Sequence, residues 1–284
     1  MSIWGRAAGV VVLGVLLAGC AGAAVRGTAT PVAGATPSTE AYRSKCVAVT
    51  APDPGPVPTP TGPPIITVTQ GSNAWIANER IQPFAITVYA EGTAIRSEDA
   101  GTSSAPVARL TLGRIDPCRV AEAGAEIVAL AASDLGDPAV TDQGTTRVVL
   151  HQPTGDVVVD AYALGVADQD LTRPQQAARQ RLTALLDRMR TAMTQTGEWT
   201  PDRLRVTTYG TPADAAGAAR WPLDGSLREA LDRDGHRCGV LSGADVTSVL
   251  TAPGSTAVGA WTDGTQTLVL AFGPLVPGQP GCPG

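Results

Sequence analysis

Apolar residues change their spacing along this chain, and each spacing predicts a different kind of element. They begin as one near-continuous run, Ala7 to Leu16, interrupted by Gly9 and Gly14 and preceded by Met1 to Arg6 with a single positive charge. From Ala21 to about Pro64 almost nothing is apolar enough to bury. There Asp53-Pro54-Gly55-Pro56-Val57-Pro58-Thr59-Pro60 rules out helix and central strand, because proline fixes φ and removes donors. Order is expected from Ile65. Ile65–Thr69 and Ala85–Ala90 are β-branched runs, and Glu91-Gly92 turns the second into Thr93–Arg96 as a tight hairpin. Val107–Leu112 predicts a further strand, and Thr145–His151 and Asp156–Ala163 flank the turn Pro153-Thr154-Gly155.

Spacing then shifts to the helical period. Val120, Ala123, Ile127 and Leu130 predict a helix over Arg119–Ser133, ending at Leu135-Gly136. The clearest helix is Leu171–Thr196. Thr172 is its N-cap, with Pro174 and Gln175 in the first turn, and Ala178, Leu182, Leu185, Leu186, Met189 and Met193 form one apolar stripe opposite a face of arginines. Such a stripe most often lies on a sheet. Leu204–Tyr209 is expected as a strand, Leu227–Asp232 and Ser242–Leu250 as helices, and Ala257–Trp261 and Gln266–Phe272 as a hairpin around Asp263-Gly264. The whole predicts an α+β fold, a mainly antiparallel sheet packed by one long and several short helices.

The first apolar run is shorter than the roughly 20 residues that span a bilayer. It ends in Leu17-Ala18-Gly19-Cys20, which resembles a bacterial lipobox, where a diacylglyceryl group is added to the cysteine and the chain is cut before it. The resemblance implies a signal peptide over 1–19, cleavage between Gly19 and Cys20, and lipidation of Cys20 with acyl chains such as palmitate. The chain would then sit on the outer face of the cell membrane. Two or three acyl chains, at about 0.8 kcal/mol per buried methylene, suffice for a lasting anchor. Residues 20–64 are then a Pro/Thr/Ala-rich tether, and 65–284 an extracytoplasmic domain with candidate halves 65–200 and 201–284.

Charge narrows the partners. The chain holds 21 basic and 26 acidic residues, for a formal net charge of −5. This leaves no electrostatic footprint for nucleic acid and no attraction to an anionic membrane surface. Lys45 is the only lysine, while Ala, Gly, Pro and Arg are abundant, a bias that points to a GC-rich genome.

Cys46, Cys118, Cys238 and Cys282 remain after Cys20. An even number outside the cytoplasm predicts disulfides, and the lack of any C-x-x-C disfavours zinc and redox chemistry. Shifting the chain by 120 residues aligns Thr87 and Tyr89 with Thr207 and Tyr209, Cys118 with Cys238, and Val148–Leu150 with Leu268–Leu270. A duplication is favoured over chance on this pattern. If Cys118 and Cys238 are equivalent, the pairing expected is Cys46–Cys118 and Cys238–Cys282.

Catalytic candidates are sparse. His151 ends a strand beside a turn and His236 precedes Cys238, and each reads first as a solvated or capping residue. The chain has no GxSxG, HExxH or SxxK motif and no phosphate loop. Asp156 and Asp160 share a strand face by alternation, and Asp232, Asp234 and His236 alternate without completing an EF-hand. No metal or cofactor is expected. Trp75, Trp199, Trp221 and Trp261 are read as core packing ahead of a sugar- or lipid-binding platform.

Ile86–Thr93, Asp137–Thr146, Tyr162–Gly165 and Gly273–Cys282 together resemble a family of exported actinobacterial lipoproteins with no assigned biochemical activity. The resemblance covers most of 65–284 and brings no catalytic residues. The expectation is a non-enzymatic envelope protein that binds a lipid, a glycan or a partner protein. Binding predicts an apolar or aromatic-lined pocket between helix and sheet. The alternative is an envelope hydrolase, which requires His151 or His236 to meet a hydroxyl or carboxylate in space.

Overall fold

The computed structural model describes residues 57–71, 84–98, 107, 109–166, 168, 170–210, 217–231, 237–256 and 258–282. Gly19, Cys20, Cys46, Trp75 and His236, with the leader and nearly all of the tether, lie outside the described residues. Among the described residues, twelve strands and four helices make an α+β architecture of mainly antiparallel sheets.

The β-branched runs pair first. Pro64–Gln70 (β1), Phe84–Tyr89 (β2), Thr93–Ser97 (β3), Leu110–Arg114 (β4), Thr145–Leu150 (β5), Val157–Tyr162 (β6) and Thr194–Glu198 (β7) form one sheet in the order β6-β5-β1-β2-β3-β4-β7. Register and period two decide its faces. Ile66 lies opposite Val88 and Leu150, Val68 opposite Ile86 and Val148, and Val148 opposite Val159. That places a continuous aliphatic patch on one face. Helices Pro117–Ala131 (α1) and Arg173–Ala192 (α2) cover it, through Val120, Ile127 and Leu130 from α1 and Leu182, Leu185 and Met189 from α2. On the other face Tyr89, Ile95, Leu110 and Leu112 pack with Val57, Trp199 and Val276.

Both helices begin on caps the sequence announces. The Asp116 carboxylate accepts the Cys118 N–H at 2.8 Å, with Pro117 at the first helical position. In α2 the Gln175 side chain reaches back to the Thr172 N–H at 2.8 Å. The end of α2 differs from expectation. It stops at Ala192, Met193 is extended, and Thr194–Glu198 is a strand on the open edge of β4. Met193 keeps its buried place in the stripe while leaving the helix. The β-branched Thr194 and Thr196 favour the strand once an edge is available.

Arg179, read from the sequence with the polar-face arginines, is instead buried, at 1% exposure. Its guanidinium donates to the Tyr162 and Ala163 carbonyls at 2.8 Å each, and to Asp168 Oδ1 at 2.9 Å. Ala163 sits at φ 51, a left-handed conformation uncommon for a residue with a Cβ, and Arg179 holds that turn from inside.

Arg203–Gly210 (β8), Ala219–Arg220 (β9), Cys238–Ser242 (β10), Val258–Thr262 (β11) and Thr267–Pro274 (β12) form a second sheet, ordered β10-β8-β12-β11-β9, in which only β9–β11 is parallel. Leu227–Leu231 (α3) and Ala244–Thr251 (α4) pack on it. Trp261 is fully buried at its centre, edge-on to Trp221 at 5.7 Å and to Phe272 at 5.5 Å between ring centroids. Trp199, Trp221 and Trp261 are all core residues. The helix expected over Ser242–Leu250 starts only at Ala244. Gly243 at φ 60 ends the preceding strand β10, and a Cβ on Gly239 would lie 1.8 Å from the Ala230 carbonyl oxygen, so α3 sits directly against that strand. Of the residues matched at offset 120, Thr87 and Tyr89 share strand conformation with Thr207 and Tyr209, and Val148–Leu150 with Leu268–Leu270, whereas Cys118 is in the first turn of α1 and Cys238 opens β10.

The tail runs back across both sheets. The Tyr89 hydroxyl donates to the Pro277 carbonyl at 3.1 Å, and Arg205 Nε donates to the Gly281 carbonyl at 2.6 Å. Burial, with a smaller contribution from Glu91, pushes the Tyr89 phenol well above its ordinary pKa. Cys282 is bonded to Cys238, with a Cα–Cα distance of 5.9 Å.

Candidate functional site

Two antiparallel helices on one sheet normally close against each other, but α1 and α2 do so only at one end. There Gln175 Nε2 donates to Asp134 Oδ2 at 2.8 Å, a bond that, with the Gly136 N–H, holds the Asp134 carboxyl below its usual range. Along the rest of their length they border a cleft of about 790 Å³. The reason lies in the α1 side chains. Val120, Ala123, Ile127 and Leu130 are buried in the core, Val120 and Ala123 also bordering the cleft, while Ala121, Ala125 and Ala129, at successive i, i+4 positions, line its wall. Methyl groups there leave room that larger side chains would fill. Behind the cleft lie Leu185 and Met189 of α2 with Ile66, Val88 and Ile115, all core residues at 0–5% exposure.

Charge is confined to the border: Arg119, Glu122 and Glu126 from α1, Arg181 and Arg188 from α2. Arg119 pairs with Glu122 at 3.0 Å. Arg188 pairs with Glu126, tying the two walls together across the cleft. Arg181 is exposed and has no acidic partner among the described residues. The sequence reading missed this site because alanines in a helix look like good helix formers and nothing more. Its one visible trace is the Ala121, Ala125, Ala129 stripe edged by Glu122 and Glu126.

The residues singled out from the sequence lie elsewhere. His151 Nδ1 is 3.0 Å from Asp156 Oδ1, and its Nε2 is 3.3 Å from Thr67 Oγ1. Hydroxyl, imidazole and carboxylate therefore form a chain on the sheet face turned away from α1 and α2. Thr67 is buried in the middle of β1, and β2 and β5 engage the backbone on both sides of it. Asp160 is not part of that chain, since it forms a two-bond pair with Arg147 at 2.8 Å each. Cys118, which borders the cleft, is disulfide-bonded to a cysteine outside the described residues. No group of His, Cys, Asp and Glu suited to a metal ion occurs among the described residues, and none of their helices is long and apolar enough to cross a membrane.

Compared with known proteins, the chain matches no protein-family model, no curated protein and no solved structure.

Proposed function

We propose that the chain is a lipid-anchored protein of the cell envelope whose folded part binds an apolar or amphiphilic molecule without transforming it. The observation that carries the binding is the α1–α2 cleft. Its volume of about 790 Å³ falls within the range common for small-molecule sites, and the exposed part of its wall carries the methyl groups of Ala125 and Ala129. Of the three ligand classes expected from the sequence, a lipid fits best. No Trp, Tyr or Phe is among the cleft's lining residues to stack on a sugar face, and the cleft is a concave channel rather than the broad, flat patch of a protein partner. Anchoring rests on Leu17–Cys20 and the run before it.

Native mass spectrometry of the protein purified from an actinobacterial host tests the binding. A small-molecule adduct lost on denaturation, and missing from Ala125→Trp, is the expected result. Apo mass alone for each of the two proteins would overturn the proposal. Ala125 is exposed, so the indole enters the cleft without disturbing the core. For the anchor, Cys20→Ser should lose its membrane association; retention with the leader uncut would count against the lipobox.

A second reading is favoured by the Thr67–His151–Asp156 chain, which meets the geometric condition for a hydrolase with hydroxyl, base and orienting carboxylate. It ranks lower because Thr67 is nearly inaccessible. Turnover of a p-nitrophenyl ester that disappears in His151→Ala would promote it; equal turnover by both proteins would remove it.

A further inference from the structure

We infer that the open edge of β6 is a docking site for an extended, cationic peptide segment of a partner protein, which joins the seven-stranded first sheet as a further strand. The inference is independent of the cleft and rests on the register of the β5–β6 hairpin.

The Ala163 N–H donates to the Gly144 carbonyl at 2.9 Å, and the register runs without a break from Thr145 opposite Tyr162 to Leu150 opposite Val157. Antiparallel bonding alternates along a strand. Val157, Val159 and Ala161 therefore bond to β5, and Val158, Asp160 and Tyr162 turn their backbone outward. The bond from the Gly71 N–H to the Thr145 carbonyl gives the same parity from the other side of β5. Arg179 takes the Tyr162 carbonyl. The outward N–H and carbonyl groups of Val158 and Asp160 have no partner among the described residues.

Proteins blunt such edges with bulges, polar residues or charge. The opposite edge of the sheet, β7, is polar, and its pairing with β4 slips beside Gly113. β6 is regular and exposes Val158 at 42%, and its one charged side chain, Asp160, is paired with Arg147. Period two lets each face select the guest. On the face turned from the helices Asp156 and Asp160 flank Val158, and residues 134–170 hold seven aspartates and one arginine, a net of −6. Arg147 bonds each Asp160 oxygen once, which leaves acceptor positions for a further cation. On the covered face lie Val157 and Val159, and the flank of α1 turned from α2 exposes Val128. A strand alternating basic with β-branched residues satisfies both faces. A second copy of this chain does not, because its β6 brings the same negative charge.

The test uses the full-length protein, purified in non-ionic detergent, and a fluorescein-labelled peptide of alternating arginine and valine, followed by anisotropy at low salt. Residues bonded to Val158 and Asp160 share their face, so the arginines present both their backbone to the edge and their side chains to the aspartates. N-methylation of the arginines should weaken binding about tenfold, and N-methylation of the valines should leave it unchanged. Val158→Pro removes an outward N–H without costing the fold a hydrogen bond, and should weaken binding about as much while circular dichroism stays the same. A glutamate–valine peptide should not bind. Equal effects of the two methylations overturn strand pairing, and this comparison depends on no variant. Binding that ignores Val158→Pro overturns the assignment to β6, and equal binding of the glutamate peptide overturns the cationic partner. No binding by any peptide overturns the inference, as does self-association abolished by Val158→Pro, which would give the edge to a second copy.

Discussion

The two sheets solve the same packing problem with different materials. The second closes its core with rings: Trp261 meets Trp221 and Phe272 edge-on, and α3 and α4 lie close on the strands. The first relies on aliphatic side chains under two helices, and Arg179, its only fully buried charged group among the described residues, does the work of a staple. Rings fill a small core to its edges. Aliphatic stripes on two helices leave the seam between them to be filled by whatever the helix flanks carry, and α1 carries alanine there. The cleft is therefore a consequence of how the first sheet is covered; its counterpart on the second sheet, between α3 and α4, is smaller, about 360 Å³, and bordered by Asp224, Glu229 and Asp245. The comparison places the larger of the two clefts on the aliphatic sheet and the smaller on the aromatic one.

The most severe way to break the comparison is to empty the aromatic core. Trp261 is fully buried, and its indole N–H has no hydrogen-bond partner, so its contribution is packing alone. Trp261→Ala should cost about 4 kcal/mol in chemical denaturation, near the upper range for large-to-small core changes. A loss near 1 kcal/mol would mean the site collapses easily, and the contrast between a filled and an open core would fail.

Much of this contrast was legible beforehand, and what was missed has a common cause. Period-two and period-3.6 spacing located β1, β2, β5, β6 and the buried stripes of α1 and α2, because those elements bury a face determined by their own residues. Strand β7 was hidden because Met193 continues the α2 stripe and only pairing with β4 decides the conformation of the residues after it. Strand β10 was hidden for a similar reason, since Val240-Leu241 reads equally as the lead into a helix. The pocket expected from the sequence lay between helix and sheet, whereas the cleft lies between two helices with a charged border, which stayed hidden because an alanine stripe announces helix whichever way it faces. The link between Thr67 and His151 joins residues 84 positions apart, a distance that no local pattern spans.

In the first sheet the sharper test is the staple. Arg179→Met keeps the volume and apolar stem of the side chain but leaves the carbonyls of Tyr162 and Ala163 without their donor, and Asp168 without its partner. The expected loss is about 3 kcal/mol, the lower end for breaking a buried charge network, since Asp168 is partly exposed and can turn to water. The small-molecule adduct should survive wherever the protein remains folded, because none of these groups lines the cleft. Loss of binding in folded Arg179→Met would show that the staple and the cleft are one unit.

The smallest effect belongs to the hairpin between β11 and β12, where the second sheet uses a charge of its own. Asp263 accepts the Thr265 hydroxyl at 2.7 Å and the N–H groups of Thr265, Gln266 and Leu227 at 2.9 Å each. The Thr265 hydroxyl first, and then these backbone donors, hold its carboxyl well below the ordinary aspartate range. The bond to Leu227 also fastens the turn to the start of α3. Asp263→Ala should therefore cost about 1–2 kcal/mol at neutral pH, comparable to the loss of a helix cap. A carboxyl whose folded pKa is depressed contributes stability that is present above its unfolded value, near pH 4. That contribution is lost as pH falls through the folded value. The gap between wild type and Asp263→Ala should thus stay constant from neutral pH down to about 5 and narrow below about 4. A gap that widened in acid would mean that Asp263 is held as the neutral acid, and the second sheet would then owe nothing to charge.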